Sequence, residues 1–389
     1  MKARFLQLHT LTGYSATLLN RDDIGRAKRL PFGGYDRIRV SSQCLKRHWR
    51  EAAGEWSLQE LGRGKSTRSR RVFSDVIAAR LRERGLSEER IVNVLMPIRS
   101  AVLGESIKAK QARKEKPAEG SEPLKNLHTE QVIVLGEPEI TFLTDLAAAL
   151  VQDDAEGTAK EVDAYFKDKA KKANLKDLGM GPGLDAAIFG RMVTSDLMAR
   201  TDAAVHVAHS FTVHAEEAEP DYFSALDDLV AAEGELGSGH INTSELTSGL
   251  FYAYVVVDVR LLVDNLSGDR SLAAEVLRRL VHLIATVSPG AKLGATAPYA
   301  CAELMLAESG ARQPRTLANA FMSPVPKQGA KEKASAAISE YLGRYDAMYG
   351  THERRRVATM IEPIPDHAGE SVTMGVLAQW VSEQVGEAS

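Results

Sequence analysis

Cysteine is scarce in this chain of 389 residues, which contains Cys44 and Cys301 and no Cys-x-x-Cys motif. This scarcity excludes a disulfide framework and most structural zinc sites, and it is typical of a protein in a reducing cytoplasm. The chain also lacks an apolar run long enough for a signal peptide or a membrane-spanning helix. We therefore expect a cytoplasmic protein that does not associate with membranes.

The usual nucleotide-binding and catalytic motifs are absent as well. The glycines within residues 179–183 are not followed by Gly-Lys-Ser/Thr, so they predict a turn and not a P-loop. His206, His209 and His214 have the spacing closest to that of a metal site, but in a strand His209 would face the opposite side from the other two. We expect no metal, no cofactor and no catalytic residue.

Positive charge is concentrated near the amino end. Residues 21–50 contain nine Lys or Arg and three Asp, a surplus of six positive charges, whereas the whole chain has a formal net charge of −3. A folded chain that collects positive charge in one segment is typically adapted to an anion, and a long basic segment indicates a polyanion. The basic residues are Arg21, Arg26, Lys28, Arg29, Arg37, Arg39, Lys46, Arg47 and Arg50.

The same segment predicts a phosphate site. Arg37 and Arg39 fall on one face of a predicted strand, and Ser41-Ser42 predicts the N-cap of the helix that follows. Backbone N–H groups at the start of a helix bind phosphate. Surface helices also carry Lys and Arg for solubility alone, but here the charges are confined to one segment and lie beside the neutral donor Gln43. We therefore expect this segment to bind a phosphate backbone.

Two acidic residues in the basic segment allow two interpretations. Asp22 and Asp23 could bind a cation next to a phosphate. We favour the alternative, in which they pair with Arg21 or Arg26, or cap the loop.

Hydrophobic periodicity predicts an α+β protein. The order is strand–helix–strand, a mainly helical insertion, then strand–helix–strand, which suggests a ferredoxin-like or RRM-like domain with large insertions. Residues 106–126 are predicted to form an exposed loop. Strands are expected over residues 4–10, 37–40, 186–192, 203–213, 250–259 and 298–306. Helices are expected over residues 43–50, 73–84, 87–103, 137–153, 157–172, 269–287, 331–348 and 371–385.

Short motifs extend from the basic segment to about residue 321. They are Asn20-Arg21-Asp22-Asp23, Phe32-Gly33-Gly34, Arg39-Val40-Ser41-Ser42-Gln43 with Leu45-Lys46-Arg47, Gly190-Arg191-Met192 with Thr194-Ser195, Asp221-Tyr222-Phe223-Ser224-Ala225 with Asp227-Asp228, Ser248-Gly249 with Phe251-Tyr252, Pro289-Gly290-Ala291-Lys292 and Asn319-Ala320-Phe321. In this order they resemble the CasC family, the repeated crRNA-binding backbone subunit of type I-E CRISPR Cascade complexes.

The resemblance implies a hand-shaped subunit. An RRM-like palm would contain residues 1–56 and 181–214 and continue through 249–389, which include the C-terminal helices. Residues 57–180 would form helical fingers, and residues 215–248 a thumb β-hairpin. The aromatic motif of ordinary RRM domains is absent, so Tyr252 and Tyr254 are expected to be packing residues and not platforms for bases.

The resemblance also implies a noncatalytic role in antiviral defence. Several copies would assemble head to tail along the crRNA, grip its phosphates whatever the sequence, and present its bases for pairing with target DNA. The implied partners are other copies, other Cascade subunits and a recruited effector nuclease. Met192 and Tyr222-Phe223-Ser224 would wedge between bases. The residues expected to bind crRNA are Arg21, Lys28, Ser41, Gln43, Lys46, Arg50, Met192, Tyr222, Phe223 and Ser224.

Other interpretations remain open. Backbone subunits of type III complexes cleave RNA with a loop aspartate, which here would be Asp22, Asp23 or Asp36. A metabolic enzyme with a phosphate-rich ligand is a third possibility. In the main interpretation, the acidic start of the thumb, including Glu216, is expected to contact the basic surface of the next copy.

Overall fold

The computed structural model describes residues 3–62, 66–104, 123–168, 183–191, 201–216, 218–226 and 238–387, with the backbone alone for 218–226 and 238–244. The chain divides into two compact units. Unit 1 comprises Met1–Leu58, Val205–Arg260 and Arg270–Ser389, and unit 2 comprises Gln59–Ala204 and Leu261–Asp269. Within the described ranges, no helix is both long and apolar enough to cross a membrane.

Unit 1 is built on a ten-stranded sheet. Its order is β12-β11-β10-β1-β9-β7-β3-β2, and β6 and β8 also pair with β9. The pairs are antiparallel except β11 with β12. The strands are β1 (Phe5–Thr17), β2 (Arg29–Phe32), β3 (Tyr35–Val40), β6 (Val205–Val207), β7 (Ser210–Thr212), β8 (Ala218–Leu226), β9 (Ser238–Asp258), β10 (Leu304–Gly310), β11 (Arg354–Thr359) and β12 (Glu370–Ser371).

The central strands are buried because helices cover the sheet. Leu306 of β10 and Val357 of β11 belong to a core cluster with Ile338 of α10 (Ala330–Tyr349). Ser309, which alternates to the other side of β10, donates to Gln384 of α11 (Met374–Glu387) at 2.7 Å. Helix α11 packs in turn on α8 (Arg270–Thr286). The remaining labelled helices that lie wholly in this unit are α1 (Ser42–Glu51) and α9 (Leu293–Thr296).

Unit 2 has its own core and a two-stranded sheet of β4 (Ser66–Ser69) and β5 (Ile133–Gly136). The Arg191 guanidinium donates to both carboxylate oxygens of Glu139, at 2.8 and 2.7 Å, and both side chains are buried. The helices are a π-helical turn (Val72–Ile77), α2 (Ala78–Glu83), α3 (Glu88–Leu103), α4 (Glu137–Leu150), α5 (Ala155–Lys167) and α6 (Leu184–Phe189), while α7 (Val259–Asn265) crosses the unit boundary.

The mixed α+β class is confirmed, and so are most of the predicted elements. The helix predicted over residues 269–287 is α8, and its apolar stripe is buried. Tyr252 is 1% exposed and packs against Phe211 and Phe321, which confirms it as a packing residue.

Three predicted strands are wrong in part. The strand predicted over residues 186–192 is replaced by the helix Leu184–Phe189 in the described part of that range, because a short buried apolar run has no periodicity that separates the two states. Residues 203–213 form two short strands, β6 and β7, which pair with different parts of β9. The strand predicted from residue 298 begins only at Leu304. Most of the loop expected over 106–126 lies outside the described residues, and Pro123–Leu127 is a 3-10 helix.

Candidate nucleic-acid interface

The loop that begins the basic segment is attached to the start of α1. The backbone N–H of Lys28 donates to the carbonyl of Asn20 at 2.9 Å, and the side-chain oxygen of Asn20 accepts from the N–H of Ser41 at 3.0 Å. Asp22 accepts from the N–H groups of Ile24 and Arg26, at 3.1 and 2.8 Å. Asp22 therefore caps the loop, which was one of the two interpretations of its role.

The N-terminus of α1 is capped as the sequence predicts. Ser41 is extended, with φ −70° and ψ 147°, and its hydroxyl accepts from the N–H of Cys44 at 3.4 Å. Leu45 and Trp49 are buried and anchor one side of the helix. The first turn contains no acidic residue, and helix geometry leaves its first N–H groups without an intrahelical acceptor. This end of α1 is therefore suited to an anion.

Several of the nine basic side chains are already compensated within the protein. Arg29 forms ion pairs with Glu216 and Glu245. Arg47 and Arg50 pair with Glu51, at 3.0 and 3.6 Å. Glu216 is thus already paired within the chain, and the expected contact of the acidic thumb with another copy stays a prediction.

The expectation that Arg37 and Arg39 share a binding face is wrong. Arg37 is fully buried, and its guanidinium donates to the carbonyls of Thr212 and Phe321, at 3.0 and 2.9 Å. Burial lowers the pKa of Arg37. Its role is to join strand β3 to neighbouring backbone, so the anion-binding charge is smaller than the sequence total suggests.

Apart from the buried Arg37, four cations of the segment have no carboxylate partner among the described residues: Arg21, Arg26, Lys28 and Arg39. Lys28 and Arg39 are adjacent, since the N–H of Arg39 donates to the carbonyl of Lys28 at 2.8 Å. Burial raises the pKa of the half-buried Cys44 thiol, while the charges of Lys28 and Arg47 oppose that rise. Lys28 therefore acts electrostatically on the first turn of α1.

Most of the sequence-predicted site lies on α1 or in the loop before β2, with Arg50 in the last turn of α1. Arg21 and Gln43 are exposed, Lys28, Lys46 and Arg50 are half-buried, and the buried Ser41 serves as the cap. Met192 lies outside the described residues. Tyr222, Phe223 and Ser224 are on β8, with backbone partners Thr243, Asn242 and Ile241 on β9, and their side chains are outside the description.

Two residues that were not assigned to the site join it in the structure. Arg39 donates from its side chain to the carbonyl of Arg29 and to Nδ1 of His209, both at 3.0 Å. His209 is exposed and follows β6. The alternation of residues 37–40 predicted the same face for Arg37 and Arg39, so it could not single out Arg39. No sequence signal could place His209 beside Arg39, which is 170 residues away in the chain.

The other histidines of the spacing pattern have separate surroundings. His214 is buried, donates from Nδ1 to the carbonyl of Ala215 at 2.9 Å, and accepts at Nε2 from the N–H of Leu250 at 3.2 Å. His206 is on β6 and exposed. Within the described ranges, no group of three or more His, Cys, Asp or Glu residues could hold a metal ion.

Unit 1 also contains a cavity of about 600 Å³ beside the start of α10. Its lining has two acidic and two basic residues, Glu303 and Glu332 with Lys327 and Lys331, and Lys331 pairs with Glu303 at 2.7 Å. This balance of charge does not favour a phosphate-rich ligand, in contrast to the surface around Lys28 and Arg39.

Comparison with known proteins assigns the family. The model of a family described as CT1975-like protein matches residues 6–382. The chain belongs to this family. CT1975-like proteins are Cas7-like, so the resemblance seen in the motifs is confirmed at the level of the family. No curated protein sequence matches the chain significantly.

Solved structures agree with this assignment. A chain of a "CRISPR RNA-guided surveillance complex, pre-nicking" has a TM-score of 0.75 and 28% sequence identity, over 98% of this chain and 100% of that one. A chain of a "CRISPR RNA-guided surveillance complex" has a TM-score of 0.68 and 24% identity, over 96% of this chain and 99% of that one. The second likeness concerns the fold alone.

Proposed function

We propose that this chain is a noncatalytic backbone subunit of a type I-E Cascade complex, in which several copies assemble head to tail along one crRNA. The observation that carries the proposal is the surface formed by Lys28, Arg39 and the start of α1. These cations lack carboxylate partners among the described residues, and they lie beside helix N–H groups. Family membership and the 28% identical chain of an RNA-guided complex supply the functional context.

Such a surface fits a guide whose sequence varies. A protein that holds unrelated guides must bind phosphate and sugar and leave the base edges free. Guanidinium, ammonium and backbone N–H donors that bind phosphate oxygens carry no information about the bases. Pairing between the guide and the target DNA strand then provides the sequence specificity. Arg21, Ser41, Gln43, Lys46 and Arg50 complete the proposed path of the RNA phosphates.

The proposal keeps the hand-shaped division of the chain. The palm would be an RRM-like domain in residues 1–56, 181–214 and 249–389, the fingers residues 57–180, and the thumb residues 215–248. Met192 and Tyr222-Phe223-Ser224 would unstack the guide at regular intervals, since an apolar wedge separates bases without reading them. Target cleavage would belong to a recruited effector nuclease.

Nuclease protection of a reconstituted complex tests this function. The full chain is expressed with its CRISPR RNA and neighbouring Cas proteins, and the bound RNA is digested and mapped. The proposal predicts stoichiometric small RNA with exposed nucleotides at even spacing. A complex that forms without RNA, or protection without any period, would contradict it.

A cleavage assay separates the alternative enzyme from the proposed scaffold. Complementary RNA is incubated with the same complex and Mg²⁺, and with a variant in which Asp23 is changed to Asn. We expect no cleavage by either protein. Cleavage that depends on Asp23 would instead identify a metal-dependent ribonuclease.

A further inference from the structure

His209 is held in one tautomer by its neighbour Arg39. A guanidinium group has donors and no acceptor, so Nδ1 of His209 must accept the 3.0 Å hydrogen bond from Arg39. The neutral imidazole then carries its proton on Nε2. Arg39 is itself fixed, because its Nε donates to the carbonyl of Arg29 and its backbone N–H to the carbonyl of Lys28. An exposed side chain therefore presents an oriented N–H donor.

The charged surroundings of His209 are cationic. Burial, followed by the charges of Arg39 on β3 and Lys28 in the loop before β2, lowers the pKa of His209 below the ordinary value of 6.5. Behind it, the N–H of Ala208 donates to the carbonyl of Tyr254 on β9. The Tyr254 phenol donates to Gln7 at 2.8 Å, and burial raises its pKa, so it remains neutral. An anion bound next to His209 would therefore be close to hydrogen-bond donors, and none of these neighbouring groups is a carboxylate that would repel it.

We infer that His209 is a further phosphate-binding residue, whose ring Arg39 orients in the free protein so that Nε2 can donate to a phosphodiester oxygen of bound RNA. The inference rests on the proposed function, because it assigns a new contact within the same basic surface. It also explains the uncompensated charge of Lys28 and Arg39, since one phosphate next to His209 would lie near both cations.

The contact has a defined pH dependence. Bound phosphate would favour the imidazolium form, in which Nδ1 carries the second proton and the Arg39 guanidinium turns from the ring towards the phosphate. The pKa of His209 is therefore higher in the complex than in the free protein. Protons are then taken up on binding, and RNA affinity rises as the pH falls through the pKa of the complex. The gain is complete below the lower pKa of the free protein. A shift of one pKa unit corresponds to about a tenfold gain in affinity.

The test measures RNA affinity of the full-length protein at about pH 6 and about pH 8 at constant ionic strength. Two labelled single-stranded RNAs of unrelated sequence serve as probes. We expect wild-type protein to bind both RNAs several-fold more tightly at the lower pH. His209→Ala should bind more weakly and lose this gain. His209→Gln, which keeps a donor but does not titrate, should approach wild-type affinity at the higher pH alone.

His206→Ala is the matched control, because His206 is also exposed and lies three residues before His209. It should keep both the affinity and the pH dependence of the wild type. If His209→Ala retained the full pH-dependent gain, the inference would be wrong and the proposed function would stand. If the wild type bound no RNA at both pH values, the proposed function itself would be wrong.

Discussion

At the scale of single residues, a buried ionic network fixes the centre of unit 1. Glu308 of β10 is fully buried and accepts from Arg315 at 2.7 Å, from Arg355 at 2.7 Å and from His9 at 3.0 Å. His9 also accepts from Tyr252 at Nδ1, at 2.9 Å. Burial alone would raise the pKa of Glu308, but these donors hold it well below its ordinary value of 4.5.

Replacing Glu308 by Gln should destabilise the protein strongly. Arg315 would lose its carboxylate partner, and the buried Arg355 would keep only its pairing with Asp346 and Glu353. Breaking a buried ion pair costs roughly 3–5 kcal/mol. Glu303→Gln is the matched control, because Glu303 pairs with the half-exposed Lys331 and such a pair contributes about 0–1 kcal/mol. Urea unfolding measures both changes, and equal losses for the two variants would contradict the role assigned to the network.

Acid should weaken this network. Because the pKa of Glu308 is depressed in the folded state, its contribution to stability is complete above 4.5 and is lost as the pH falls towards the folded value. The free energy of unfolding of the wild type should therefore fall more steeply below about pH 4.5 than that of Glu308→Gln. Unfolding curves collected across this range measure the difference, and parallel pH profiles would refute the assignment.

At the scale of elements, the start of α1 combines two roles that substitution can separate. Ser41 caps the helix, and the same end of the helix is proposed to bind RNA phosphate. Asn, Asp and Ser are comparable N-caps, so Ser41→Asn and Ser41→Asp should both keep the protein folded. They differ by one negative charge at the proposed site.

We therefore predict that Ser41→Asp binds RNA about fivefold more weakly than Ser41→Asn, since a unit charge about 4 Å from a phosphate in water costs about 1 kcal/mol. The affinity of both variants is measured at low salt, where screening is weakest. Thermal unfolding of the same samples verifies that the cap is retained. Equal RNA affinities would show that no phosphate lies at this helix end.

The elements also show where sequence reasoning succeeds and where it stops. Helix α8 could be predicted because its apolar residues repeat with the helical period over 17 residues. Helix α6 spans only six residues, and all of them except Asp185 are buried, so the sequence did not distinguish it from a strand. Arg37 and Arg39 share one alternation pattern, and tertiary packing alone decides that the first is buried and the second half-exposed.

At the scale of the whole molecule, the positive surface available to an anion is smaller than the charge of the basic segment suggests. The chain has a net charge of −3. Part of the positive charge of the basic segment is neutralised by ion pairs within the chain, to Glu216, Glu245 and Glu51. What remains is a local patch on an acidic protein. Binding of polyanions should therefore be confined to that patch and should depend strongly on salt.

The salt dependence of RNA binding tests the central claim most directly. Each phosphate neutralised on a single strand contributes about 0.7 to the slope of log affinity against log salt. Changing both Lys28 and Arg39 to Gln should reduce that slope by about 1.4 and weaken binding equally for two guides of unrelated sequence. The control carries the same loss of charge on α10, through Lys333→Gln and Arg344→Gln, and should keep the wild-type slope. An unchanged slope in the first variant, or a loss that differs between the two guides, would contradict the account.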